Sequence, residues 1–117
     1  MKVLGIRYCQ VAANAAEIAD FLGKRVGLPE RDCGLDGSHG FAGAVFPAGD
    51  SWIELWPKAA EMPEMVMLQI VVDDADAWAG QARANGLDPQ GPMDAHGERI
   101  YMLTGPGGLQ VSIQSAA

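Results

Sequence analysis

Residues Met67 to Leu87 read MLQIVVDDADAWAGQARANGL, and they hold a strand, a helix start, a helix and a helix stop in succession. The apolar-rich run MLQIVVDD predicts a strand, and the Ala-rich pattern from Ala75 to Ala84 predicts a helix. Asp74 stands where an N-cap carboxylate can accept from the free N–H groups of a first turn. Gly86 stands where a helix ends on a left-handed residue. The same order occurs in Arg7 to Leu28, RYCQVAANAAEIADFLGKRVGL, with Asn14 and Gly27 as the corresponding caps. Two copies of one supersecondary module are therefore expected.

The copies also finish alike. In the first, Ser38-His39-Gly40 opens a strand from Phe41 to Phe46, a Pro/Gly turn follows, and SWIELW (Ser51 to Trp56) closes it. In the second, Ala95-His96-Gly97 precedes Arg99 to Leu103, then the turn Gly105 to Gly108, then LQVSIQ (Leu109 to Gln114). Both read as hairpins. Glu30 to Leu35 and Asp88 to Met93 are expected as twisted edge strands, the second made irregular by Pro89 and Pro92. Each module is then strand, helix and three strands, a βαβββ unit. Module one covers residues 1–57, the polar KAAEMPE stretch at 58–64 is the linker, and module two covers 65–117. Neither module can bury its sheet face alone, so one domain over 1–117, or an exchange between chains, is expected.

The 117 residues carry 8 basic and 15 acidic side chains, a net charge of −7. Nucleic acid and anionic membranes need a basic face, so neither is an expected partner, while the same field favours a cationic ligand. With 49% hydrophobic and 20% charged residues, the chain has the apolar content to fold. No run approaches the roughly 18 apolar residues of a membrane span, and Met1 to Ile6 is too short for a secretory signal, so a cytoplasmic location is expected. Cys9 and Cys33 are expected as free thiols, Cys9 as a small strand hydrophobe.

Tandem modules of this kind resemble the vicinal oxygen chelate superfamily of glyoxalases, bleomycin-resistance proteins and extradiol dioxygenases. The carriers are Asn14 to Leu28, IELWP at Ile53 to Pro57, Val71 to Leu87 and TGPGGLQVSI at Thr104 to Ile113. The resemblance implies an α+β fold in which curled mixed sheets surround a cleft. In metal-dependent members, the cleft holds a divalent ion on one side chain from the first and last strand of each module. Counting back from Asn14 and Asp74, those positions fall on Arg7, Met67, Glu54 and Ser112. Only Glu54 suits such an ion, and the fixed charge of Arg7 opposes one; Arg7 is expected to pair with Glu54 instead. A register shift would bring Tyr8, Cys9 or Gln69 to the ligand positions, so a divalent metal enters only with a different register. The expected metal site is therefore none.

Alternation along Ser51 to Trp56 places Trp52, Glu54 and Trp56 on one face and Ile53 and Leu55 on the other. Two indoles around a carboxylate suit an aromatic or cationic organic ligand, or else fill an interface or core. Arg7, Cys9, Met67, Gln69, Gln110 and Ser112, with Gln114, are expected to line the rest of the cleft. His39 and His96 read as turn residues, and the faces of Arg99 and Tyr101 are not set by the pattern. The expectation is a metal-independent small-molecule-binding protein, forming a homodimer, with Glu54 the best candidate for any catalytic role. The alternative is a metal-dependent lyase, isomerase or dioxygenase of the same superfamily.

Overall fold

The computed structural model describes residues 1–117. The elements run β1 (Val3–Ala12), α1 (Ala15–Asp20), β2 (Ala44–Ala48), β3 (Ser51–Pro57), β4 (Met65–Val72), α2 (Ala75–Ala84), β5 (Gln90–Ala95), β6 (Glu98–Thr104) and β7 (Gln110–Ala116). This is a mixed α+β fold, as the sequence predicts. No helix is long and apolar enough to cross a membrane. The chain forms two compact units, one of residues 8–66 and one of residues 1–7 with 67–117, so that β1 contributes to both.

In the unit of residues 8–66, β2 and β3 pair antiparallel with Val45 opposite Glu54 and Ala44 opposite Leu55. The helix presents Ala15, Ile18, Ala19 and Leu22, at spacing i, i+3, i+4 and i+7, to a core that also holds Ala12, Ala44, Phe46, Leu55 and Ile53. Beyond Asp20 the helix widens into a π-helical turn, Phe21–Val26, and stops at Gly27 with φ 90°, the left-handed stop expected there. Within that turn a Cβ on Gly23 would stand 3.2 Å from Cε1 of Phe46, a tight contact.

Two expectations fail in this unit. Asn14 does not cap with its side chain: its backbone, at φ −103° and ψ 29°, is not in the extended region from which an N-cap oxygen reaches the first turn. Glu30 to Leu35 is not an edge strand, and makes a single bridge from Arg31 to Val45. Local turns win there, since Asp32 Oδ1 accepts from the Gly34 N–H and Asp36 Oδ1 from the Ser38 N–H, each at 2.9 Å. The following strand accordingly begins only at Ala44.

The other unit contains the strand order β4-β7-β6-β5. β4 and β7 are parallel, with Met67 opposite Gln110 and Gln69 opposite Ser112. β6 pairs antiparallel with both β7 and β5. Helix α2 buries Ala75 and Ala79 against Val72, Tyr101 and Ile113, repeating the small-residue contact of α1. Asp74 caps it as expected, its Oδ1 accepting from the Ala77 N–H at 3.0 Å, and Gly86 follows it at φ 87°. β5 is irregular between Gln90 and Met93, around Pro92.

A polar staple ties the start of α2 to β6. The Tyr101 hydroxyl donates to Asp76 Oδ1, and Arg99 Nε donates to the same oxygen at 3.0 Å. The hydroxyl first and the guanidinium second hold the Asp76 carboxyl below its usual range. A carboxylate with a lowered folded pKa stabilises above its unfolded pKa, and that stability is lost as pH falls through the folded value. In Asp76→Asn, thermal unfolding temperature is therefore expected to fall less steeply than in the unaltered chain below about pH 4. Parallel acid limbs in the two proteins would show that the staple carries no proton linkage.

Candidate functional site

The face expected on β3 is present. Leu55 is fully buried in the helix-side core and Ile53 packs against that core. Trp52, Glu54 and Trp56 take the opposite face, each half-buried. Neighbours two apart on one strand are close enough for their side chains to touch. Trp52 Nε1 donates to Glu54 Oε2 at 2.6 Å, and Trp56 Nε1 donates to Glu54 Oε1 at 2.9 Å. The carboxylate thus holds both rings by their N–H edges, leaving the rings as flat walls on either side of a negative charge.

The irregular segment before β2 closes on this face. The Arg31 carbon Cζ stands 4.8 Å from the centroid of the Trp52 ring, a cation-π contact. Gly43 lies against Trp56 at φ 142°, where a Cβ would be 2.4 Å from Trp56 Cζ3. Only glycine allows the backbone to pass the indole so closely.

Cys9 is half-buried on β1. Burial first, and the negative charge of Glu54 second, push its thiol up from 9.0 to about 11. It is a neutral thiol at physiological pH, whereas Cys33 is exposed. At pH 8 a disulfide reagent is expected to modify Cys33 quickly and Cys9 only slowly. Equal rates at the two thiols, read by mass spectrometry of the labelled peptides, would contradict this placement.

In the unit of residues 1–7 and 67–117, Arg7 engages a carboxylate that no sequence motif marks. Its Nη1 and Nη2 donate to Glu98 Oε1 and Oε2 at 2.9 and 3.2 Å. The expected partner, Glu54, instead has its two oxygens on the indole N–H groups. Gln114 Nε2 donates to Glu98 Oε1 at 3.0 Å, and Ser112 Oγ donates to Gln114 Oε1 at 2.8 Å. This is a continuous polar chain from Ser112 to Arg7, buried at Ser112 and Gln114 and part-buried at Glu98 and Arg7. Met67 is buried, and Gln69 stands beside Ser112 in the β4-β7 register.

Gln110 does not join this chain. Its amide donates to Thr104 Oγ1 at 3.1 Å and to the Gly108 carbonyl at 3.4 Å, bracing the turn before β7. Arg99 and Tyr101 lie on the helix side of β6, as the Asp76 staple shows. His96 occupies the tight β5-β6 turn with φ 53°, and His39 lies in the exposed turn after Asp36. Glu98 was legible in principle: once the His96-Gly97 turn is placed, it falls two residues before Ile100, on the same face, and Ile100 pairs with Gln114.

No protein-family model and no curated protein sequence matches this chain. Solved structures do. A hypothetical protein from Bacillus halodurans superposes with a TM-score of 0.72 at 16% identity, over 95% of this chain and 92% of that one. Methylmalonyl-CoA epimerase from Mycobacterium tuberculosis gives 0.66 at 16% identity, over 99% and 88%. A glyoxalase/bleomycin resistance protein/dioxygenase superfamily member from Vibrio splendidus gives 0.64 at 9% identity, over 94% and 97%. This is the vicinal oxygen chelate fold. The sequence carriers quoted for that resemblance fall on α1, the end of β3, β4 with α2, and the turn into β7. Across one fold this scaffold hosts different chemistries, so the site must be argued from its own residues.

Proposed function

We propose that the chain is a small-molecule-binding protein that takes an aromatic or cationic organic ligand on the Trp52-Glu54-Trp56 face of β3, without a metal ion. The observation that carries this reading is the carboxylate held between two indole N–H groups at 2.6 and 2.9 Å. It fixes two aromatic walls and a negative charge in one place before any ligand arrives, which lowers the ordering penalty of binding.

The donor chemistry at the four positions implied by the fold supports the metal-free part. Arg7 brings a permanent positive charge, Met67 a buried thioether, and the Ser112 hydroxyl is donated to Gln114. Glu54 is the one anionic oxygen donor among them. No group of three His, Cys, Asp or Glu side chains converges in the chain. Hard or borderline divalent ions are held by several such donors together, so these residues do not fit one.

Two measurements test the reading. Elemental analysis after soaking in zinc, manganese, nickel and iron(II) is expected to give far less than one metal per chain; near-stoichiometric metal would move the protein to the metal-dependent class. Tryptophan fluorescence titrated with a panel of aromatic and cationic compounds is expected to quench in the unaltered chain. In Glu54→Leu, which leaves two indole N–H groups without their acceptor, affinity is expected to fall by about tenfold or more. A ligand that binds Glu54→Leu equally well would place the site elsewhere.

A further inference from the structure

The cation-π contact on Trp52 has an occupant supplied by the chain itself. Arg31 is exposed and carries its guanidinium over the ring at 4.8 Å. Its backbone is tied to β2 by the Arg31 N–H donating to the Val45 carbonyl at 2.9 Å, the one β-bridge of the segment between Gly27 and Ala44. The ring it covers is the one whose N–H is bound by Glu54 at 2.6 Å. A carboxylate on the N–H edge adds electron density to an indole and places negative charge beside any cation on its face, so this ring is suited to a positive group. A small pocket of ≈ 130 Å³ in the same segment is lined by Glu30, Arg31, Asp32 and Gly43 among others.

We infer that the position of the Arg31 guanidinium on Trp52 is a binding subsite for a planar organic cation of the guanidinium or amidinium class, with Arg31 as its built-in competitor. This rests on the β3 face being the ligand site. The competitor is tethered by a flexible side chain on an exposed segment, so leaving the ring disturbs none of the buried core. Its shape and charge state the class of group the surface accepts: flat, delocalised and cationic, stacking on the ring. An occupied subsite also makes apparent affinity weaker than intrinsic affinity by the fraction of time Arg31 is in place.

The test compares the unaltered chain, Arg31→Ala and Arg31→Gln, each titrated with benzamidine and with its neutral analogue benzamide. Affinity is read by calorimetry and location by the Trp52 and Trp56 indole N–H signals in NMR. The dispersion of those signals also reports that each variant is folded. Removing the competitor is expected to tighten benzamidine binding by about tenfold in both variants, with the Trp52 signal shifting, and to leave benzamide little changed. Benzamidine affinity equal to or weaker than that of the unaltered chain, with benzamide still shifting the indole signals, would overturn the cation subsite and leave the aromatic face standing. If neither compound shifts the Trp52 or Trp56 signal in any of the three proteins, both the subsite and the β3 ligand face are overturned.

Discussion

Replacing Arg7 by alanine is expected to lower the free energy of unfolding by about 3 kcal/mol, read from denaturant melts. The side chains of Arg7 and Glu98 are only 14% and 21% exposed, and they share two hydrogen bonds. Truncating one member leaves the Glu98 carboxylate largely out of water with Gln114 as its remaining side-chain donor. The loss therefore reflects a stranded charge more than the worth of the pair itself. The double variant Arg7→Ala with Glu98→Gln removes that charge and keeps an acceptor for Gln114, so it is expected to regain a large part of the stability. A double variant no more stable than Arg7→Ala would show that the effect comes from lost packing of the arginine stem.

Leu55→Ala is the second large effect, also at about 3 kcal/mol, and it should lower the melting temperature by about 10 °C. Leu55 is 0% exposed and sits among Ala12, Ala15, Ala19, Ala44 and Phe46, where small neighbours on a helix and a paired strand cannot collapse into the space. Its strand neighbours Glu54 and Trp56 point to the other face, so Trp56→Phe should cost less, about 1 kcal/mol, mainly through the hydrogen bond to Glu54. A Leu55→Ala variant as stable as the unaltered chain would reverse the assignment of the two faces of β3 and with it the ligand face.

That assignment was legible in the sequence because strand periodicity is local: SWIELW alternates, and one register alone puts the isoleucine and leucine together. The helix pair was equally legible, since Ala15 to Leu22 and Ala75 to Ala82 carry their core spacing within a few turns, and Gly27 and Gly86 mark their ends. Asn14 shows the boundary of such reasoning. It has the right side chain for an N-cap, yet the backbone entering α1 does not take the extended conformation that a cap needs.

Partners of charged residues were less legible. Arg7 was expected on Glu54 because both sit at positions that the family resemblance marks, but its carboxylate comes from Glu98, 91 residues along the chain. Which carboxylate faces which guanidinium depends on strand order and register across β6 and β7, and neither is written in local spacing. Arg31 is the same case at shorter range: it carries no motif, and it reaches Trp52 because one backbone bond to Val45 lays its segment beside β2.

The sequence by itself determined the α+β class, the helix stops and the face shared by Trp52, Glu54 and Trp56, because each follows from periodicity and turn chemistry within about ten residues. Tertiary structure alone decided that Arg7 is held by Glu98 and that Arg31 covers Trp52. Hydrogen bonds and ring contacts require distances of a few ångströms between side chains, and only the pairing of strands and the path of the segment before β2 bring those atoms together.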